Sequence, residues 1–568
     1  MERIRLVYSK DESDDVELPY RVLVLGDFSL KCQGEDLDGI KPVMIDLMNF
    51  DEILTSMDIT LRLRVTDYLT QQENSSIDII LPLRSLDSFS PDGVIQANPV
   101  LRQIVRLQQN LIRSKQASAV DTPDEKSLDN LPEGFWASLI LGHNEVTKEN
   151  IDLILAEIDH RLTLQMDEIL HQEEFQKLES AWRSLFFLVK QIKGGENCEI
   201  LVMDLDQNSL LQDFESSSEI LDSFLYKITY TDELGSFGGH PYGVIVANYQ
   251  FGLEAEDLYL LRCCGEVASA CYAPFIAGAQ PTLLGLEDFS ELITAKNLAD
   301  NIEKNLRFAK WRSVRSHQSS RFIGLTLPEF LLRKPYDYKS AYIRSFPYVE
   351  SSEYLWGNAS FALASCMIRS FIKYRWPLDI IGSDGGRVDD LIWPRENAIS
   401  KDQVIIPLKI LMTDRVEGEL TKLGFIPLTY QKGNQIVSFE SGNSIQAALV
   451  DSGSENSHSL DQRLAVQIPY LLIVCRLSHY IKVIQRDNIG SSKNRQQLED
   501  ELNSWLIQYV SDMENPSAEV RARRPLRRAR LSVAADEENP SQYKMELTVI
   551  PHFRYMGAAF SLSLLGKL

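Results

Sequence analysis

"YRVLVLGDFS" (Tyr20–Ser29) is the stretch on which the fold class of this 568-residue chain turns. From Val22 to Leu25 valine and leucine alternate with no polar residue between them, and Gly26 closes the run. A strand with one wet face alternates apolar and polar residues, whereas an unbroken apolar run bounded by a turn residue fits a strand buried on both faces. The pattern recurs in "CEILVMDL" (Cys198–Leu205) and "PYGVIVANYQF" (Pro241–Phe251). Ahead of these two, one helical region is predicted from about Asn150 to Lys190. Ile151, Ile154, Leu155, Ile158 and Leu162 make one apolar face of it, and Leu178, Trp182, Leu185 and Val189 another. "EDLYLLRCCGEVASACYAPFIAG" (256–278) then sets a helix before a further apolar run. Strands alternating with helices predict an α/β core in a chain of mixed α+β class.

Around this core the patterning is more varied. "RIRLVYS" (3–9), "DITLRLRVTDYL" (58–69) and "SSIDIILPL" (75–83) read as strands of period two. Leu101, Ile104, Val105, Leu107 and Leu111 give helical spacing between Val100 and Lys115. "QASAVDTPDEKSLDNLPEG" (116–134) lacks periodicity and collects Ser, Asp, Pro and Glu, so a linker and a boundary near residue 125 are predicted. A mostly apolar helix ("QIPYLLIVCRLSHYIKVIQRDNIG") and an amphipathic one ("NRQQLEDELNSWLIQYV") follow much later. The chain closes on "YKMELTVIPHFRYMGAAFSLSLLGKL", two strands at roughly 543–553 and 558–565 that need partners, since an unpaired apolar edge invites association.

Composition excludes several functions. A net charge of −23 argues against a general nucleic-acid binder and against attraction to anionic membranes. Seven cysteines without CxxC pairs suggest neither a disulfide framework nor a zinc site. No signal-like apolar region opens the chain, and no run of about 18 apolar residues occurs, so a cytoplasmic protein without membrane insertion is expected.

No catalytic, cofactor or metal site emerges. "GSFGGHPYG" (Gly235–Gly243) is glycine-dense but lacks the lysine of a P-loop and the spacing of GxGxxG, so a tight turn before the strand at Val244 is the better reading. His160 and His171 are read as solvated helix-face residues, and "SDGGRVDD" (Ser383–Asp390) as an exposed turn. Ser478 and His479 are adjacent and on a helix point apart, and Cys263 and Cys264 are read as buried, inert thiols. The arginine cluster "RARRPLRRAR" (Arg521, Arg523, Arg524, Arg527, Arg528, Arg530) is different in kind, because it polarises an acidic chain. A solvated or salt-bridged face and a contact for an acidic protein surface both fit. RNA fits less well, as no stacking aromatics are interleaved.

Several longer stretches resemble one family. "FGGHPYGVIVANYQF", "APFIAGAQPTLLGLEDFSEL", "KWRSVRSHQSSRFIGLTLPEFLLRKPY", "YLWGNASFALA", "RLAVQIPYLLIVCRLSHYIKVIQRDNIGS" and "MENPSAEVRARRPLRRARLSV" resemble the large sheath subunit (TssC-like) of bacterial type VI secretion systems, over roughly residues 136–568. "RIRLVYS", "VELPYRVLVLGDFS", "VMIDLMNFDEIL" and "SFSPDGVIQANPVLRQIVRLQQNLI" resemble the small subunit (TssB-like) over roughly 2–116. In most of the family these are separate polypeptides; here they are fused. The expected organisation is a small-subunit-like domain at 1–116, a linker at 117–135, and a large-subunit-like domain at 136–568 with a C-terminal arm at 543–568.

The resemblance implies a contractile-tail sheath fold with strand-exchanging terminal arms, and a structural rather than enzymatic role. Copies of the chain would stack in helical rings around an inner tube of Hcp-like protein, dock on a baseplate, and contract to drive the tube through a target membrane. It implies inter-subunit strand exchange through Ile4, Leu6 and Tyr8 at one end, and through Leu547, Val549, Phe560, Leu562 and Leu564 at the other. The arginine cluster would then contact the tube or a neighbouring subunit. A ClpV-like unfoldase commonly recycles such sheaths. Only "DEKSLDNLPEGFW" stands where separate large subunits carry the helix it recognises, which puts recycling, and exchange through that arm, in question. The alternatives are the sheath of a related contractile injection particle and, with only the Gly235–Gly243 loop in its favour, an enzyme.

Overall fold

A computed structural model of the chain describes residues 8–9, 15–31, 37–70, 75–116, 135–140, 150–192, 194, 196–339, 343–351, 353–394, 406–431, 435–447, 466–487, 495–513, 517–535, 543–552 and 562–567. Its strands are β1 (Tyr8–Ser9), β2 (Asp15–Val16), β3 (Tyr20–Gly26), β4 (Val43–Ile45), β5 (Ile59–Thr66), β6 (Ser76–Leu83), β7 (Cys198–Asp204), β8 (Tyr242–Phe251), β9 (Phe275–Ala279), β10 (Ile323–Leu327), β11 (Phe330–Arg333), β12 (Leu355–Gly357), β13 (Phe425–Gln431), β14 (Ile436–Phe439), β15 (Leu526–Ala535), β16 (Tyr543–Pro551) and β17 (Leu562–Lys567). The helices that frame them are α1 (Pro99–Gln116), α2 (Ile151–Leu170), α3 (Glu173–Val189), α4 (Ala255–Cys271), α5 (Ala359–Tyr374), α6 (Ile468–Asp487), α7 (Arg495–Ile507) and the short α8 (Ala518–Arg523).

The run that opened the sequence reading is β3, and every one of its residues is buried. It lies inside an eight-stranded sheet of order β14–β13–β10–β9–β8–β3–β7–β4. The six strands from β13 to β7 are parallel, and the two edge strands are antiparallel to them. Alternation along β3 feeds two cores. Val22 and Val24 join Ile200, Val244, Trp182 and Met367 on the face covered by α2, α3 and α5, while Leu23 and Leu25 join Met203, Ile245, Phe275 and Leu261 under α4. Burying such a side chain is worth roughly 1.5–3 kcal/mol, so no register that exposes either face competes.

The sheet crosses the predicted boundary. β3 and β4 come from the first 116 residues, yet they pair with β7 and β8, which follow residue 136. Further contacts tie the two parts together. Trp182 Nε1 donates to the carbonyl of Phe28 (2.9 Å), and Gln165 on α2 bonds the backbone of Thr66 and Tyr68 (3.0 Å each). The predicted helix over 150–190 is two helices, because Gln172 is extended (φ −62°, ψ 136°). Neither Pro nor Gly marks this break. His171 leaves the helix to place its Nε2 3.3 Å from Glu350 Oε1, a tertiary contact that local propensity does not encode.

A third core joins the two ends of the chain. Leu18, just before β3, packs with Trp376, Tyr480, Trp505, Leu531 and Val549. Its N–H donates to the Tyr480 hydroxyl (2.8 Å), Arg476 donates to the carbonyls of Leu18 and Pro19, and Arg375 lies 3.7 Å from Glu17. Helix α6 therefore clamps the entry to β3.

His479, also on α6, is fully buried with Nε2 3.0 Å from the carbonyl oxygen of Cys271, and burial pushes its pKa down to about 4. Unfolded histidine titrates near 6.5, so below that pH the unfolded chain binds a proton that the folded chain refuses. This stabilisation is present above pH 6.5 and is lost as pH falls towards 4, by up to about 3 kcal/mol. His479→Gln keeps a donor without the titration. Its urea midpoint should fall less between pH 6.5 and 4.5 than that of the wild type; identical slopes would refute the assignment.

Candidate assembly surface

The arginine cluster spans a helix end and a strand. Ser517 caps α8 by accepting from the Val520 N–H (3.3 Å), which sets Arg521 and Arg523 on that helix. Arg524 is exposed at its end, and Pro525 stops the helix. Arg527, Arg528 and Arg530 belong to β15, a strand the sequence reading did not predict. Charge density hid its period: Ala529, Leu531 and Val533 pack inward against Met545, Leu547 and Val549, while Arg528 and Arg530 are exposed on the other face. A register shift between Leu526 and Arg528 brings Arg528 opposite Ile550 and Arg530 opposite Thr548. The three strand arginines line a groove of about 420 Å³ together with Asp512, Ile507, Val510 and Ile550. Three cations against one carboxylate, beside apolar side chains, suit an acidic protein surface with apolar groups.

The terminal strands expected to exchange are partly within this sheet. β16 is its middle strand, with Leu547 opposite Leu531 and Leu564, and Val549 opposite Ala529 and Leu562. Tyr8 pairs instead with Val16 in the short β1–β2 hairpin. Ile4, Leu6 and Phe560 lie outside the described residues. The sheet's two edges are unlike. On β15, Asn503 of α7 donates to the carbonyl of Leu531 (2.7 Å) and accepts from its N–H (2.9 Å), and Glu499 accepts from the Val533 N–H (3.2 Å). Side chains thus occupy ladder groups that another strand would need. β17 is paired only with β16 among the described residues. Asn503 and Glu499 went unnoticed in the sequence because each reads as the polar face of an amphipathic helix.

Elsewhere the sites weighed in the sequence resolve as structure. The Gly235–Gly243 loop turns its carbonyls towards cations: Arg486 donates to Ser236 (2.5 Å) and Gly239 (3.1 Å), and Arg21 to His240. A phosphate cradle needs the opposite polarity, with N–H groups aimed inward. His160 is exposed as expected. His171 is not a solvated residue: its bond to Glu350 raises its pKa and joins it to a buried network in which Arg333 bridges Glu350 (2.6 Å) and Glu179 (2.9 Å). The turn around Ser383 is exposed only in part. Gly386 is buried so tightly that a Cβ would lie 2.1 Å from the Phe439 carbonyl oxygen. Cys263, Cys264 and Cys271 are buried, and burial pushes the Cys271 thiol up to about 12, far from a nucleophile. Among the described residues no cluster of His, Cys, Asp and Glu is placed to hold a metal, and no helix is long and apolar enough to cross a membrane.

Known proteins supply the context. Residues 1–130 match the family described as type VI secretion system, VipA, VC_A0107 or Hcp2. Residues 152–446 match the EvpB/VC_A0108 tail sheath N-terminal domain, and 457–568 the EvpB/VC_A0108 tail sheath gpW/gp25-like domain. The type VI secretion system sheath protein TssC1 of Pseudomonas aeruginosa is 35% identical over 459 residues, covering 78% of this chain and 91% of that protein. Two solved structures are remote likenesses. One is the PVC sheath complex of an extracellular contractile injection system in its contracted state (TM-score 0.32, 10% identity, 68% of this chain and 76% of that one). The other is a sheath tail protein from Desulfitobacterium hafniense (TM-score 0.28, 9% identity, 55% and 60%).

Replacing Asn503 by leucine leaves the buried Leu531 N–H and C=O without partners. The expected cost is about 2–6 kcal/mol, from about 1–3 kcal/mol for each of the two unsatisfied groups, read as a lower denaturation midpoint. Asn503→Asp keeps the acceptor for the N–H and should lose less. Equal losses in the two variants would show that the contact is packing alone.

Proposed function

We propose, from the premise that this chain belongs to the tail-sheath family of type VI secretion systems, that it unites in one polypeptide what most of the family divides between a small and a large subunit. As a member of that family it is a structural subunit of a contractile sheath. The observation that carries the fused reading is the order of the matches, with the VipA model over residues 1–130 followed by the two sheath-domain models up to residue 568. The corresponding parts are residues 1–116, a joint at 117–135, and 136–568 with its arm at 543–568. The work of such a chain is assembly and movement in the cytoplasm, with no turnover of a substrate.

Copies of this chain would stack in helical rings on a baseplate and around an Hcp-like tube. A neighbour's strand, with Ile4–Tyr8 as the donor and Tyr8 released from its pairing with Val16, would add at β17, which among the described residues is paired with β16 alone. Main-chain ladder bonds suit such a joint, because they hold without a fixed side-chain packing. Arg521, Arg523, Arg524, Arg527, Arg528 and Arg530 would meet an acidic surface of the tube or of a neighbouring copy. Recycling by a ClpV-like unfoldase is not part of this reading, since the joint is short where separate subunits carry the recognised helix.

Negative-stain microscopy tests assembly directly. The full chain should give tubes or ring stacks, and a chain ending at Gln542 only dispersed particles. Monodisperse monomers from the full chain in the presence of tube and baseplate would sink the sheath reading. Arg528→Glu with Arg530→Glu should weaken assembly or tube association, with an effect that shrinks as salt rises. Wild-type behaviour would make this a solvated face.

A further inference from the structure

The turn Ser236–Gly239 carries two side chains, and the Ser236 hydroxyl is turned back to donate to the Thr231 carbonyl (2.7 Å), which leaves Phe237 as its one apolar group. Gly239 N donates to the Ser236 carbonyl (3.1 Å), and Gly238 takes φ +83° in the third position, where a side chain would be strained. At Gly239 a Cβ would lie 2.2 Å from the Glu233 carbonyl oxygen, so only glycine fits. Arg486 holds the turn through two of its carbonyls, and Arg21 holds its base through an ion pair with Glu233 (2.7 Å). At the tip Phe237 is 76% exposed, with the Arg486 guanidinium 6.0 Å from its ring centre. A large aromatic side chain exposed to this degree contributes little to folding, and residues of this type commonly anchor interfaces.

A second exposed apolar feature lies on the sheet edge. Val43, Met44, Leu47 and Met48 on and after β4 are 42%, 51%, 49% and 91% exposed. Asp46 fixes their turn by accepting from the N–H groups of Met48 (2.7 Å) and Asn49 (2.9 Å). Asp46, Asp51 and Glu52 form an exposed acidic rim. Methionines adapt to an aromatic ring and make favourable sulfur–ring contacts. Acidic groups around them match the cation beside Phe237.

We propose that Phe237 of one copy seats on the Val43–Met48 patch of a second copy. The occupant is another copy of this chain because both halves of the contact, apolar and charged, are present on it. On one chain the two features are separated by β3 and β7, so each copy offers both halves, and their head-to-tail use carries association from copy to copy. The contact rests on the reading of the chain as a self-assembling sheath subunit.

The test uses the full chain. Phe237→Asp and Met48→Asp should each raise the concentration needed for assembly about tenfold or more, with unchanged thermal unfolding. A Phe237→Cys, Met48→Cys double variant treated with a short bis-maleimide should give a ladder of covalent oligomers, and neither single variant should. Wild-type assembly with no ladder from the double variant, or linked dimers from Phe237→Cys alone, overturns the contact. Absence of wild-type assembly overturns instead the sheath reading on which the contact rests, and the contact with it.

Discussion

The structure depends on the burial of β3 on both faces. A strand of seven buried residues can sit only inside a sheet, and its neighbours β7 and β8 come from the far side of the predicted joint. Val22 pairs with Ile200 on one side and Val244 on the other. The region that matches VipA therefore does not lie beside the rest of the chain as a separate body. It supplies a central strand, and without it β7 and β8 would face each other across an empty strand position.

The clamp on α6 extends the constraint to the chain's other end. Arg476 and Tyr480 fix the backbone at Leu18, and the same core holds Leu531, Leu547 and Val549 of the C-terminal sheet. The backbone ahead of β3 and the C-terminal sheet therefore share one buried core, through which the terminal sheet is packed against the entry to the central one.

Much of this was legible in the residues. β3, β7, β8 and β9 announce themselves as continuous apolar runs, and α4 and α6 as the helices that cover or anchor them. What stayed hidden has identifiable causes. β15 was obscured because its outward positions are arginines, so charge drew attention away from the alternation of Ala529, Leu531 and Val533. His171 at the break bonds Glu350, which is 179 residues away in sequence, and no local pattern encodes that contact. The joint reads clearly as a linker, yet the sheet crosses it, because composition reports where a chain is unpatterned and not which strands pair. Of the surface, the arginines were visible and their groove was not. The capping of β15 by Asn503 was likewise invisible, since it needs the register of two elements at once.

The sheet edges show how a chain can be both cohesive and able to rearrange. β14 is covered by residues 386–388, which bond Val437 and Phe439 (2.9 and 3.0 Å), and β15 is capped by α7. Among the described strands of these two sheets, β4 and β17 remain. β4 is three residues long, too short for a ladder to hold a partner, so its apolar side chains rather than its backbone are the adhesive element. β17 has six residues, enough for a ladder that persists when side-chain packing changes. Side-chain contacts of the kind an apolar edge such as β4 offers can be exchanged for others, whereas a ladder of the length β17 allows keeps its neighbour, and the two edges lie on different sheets.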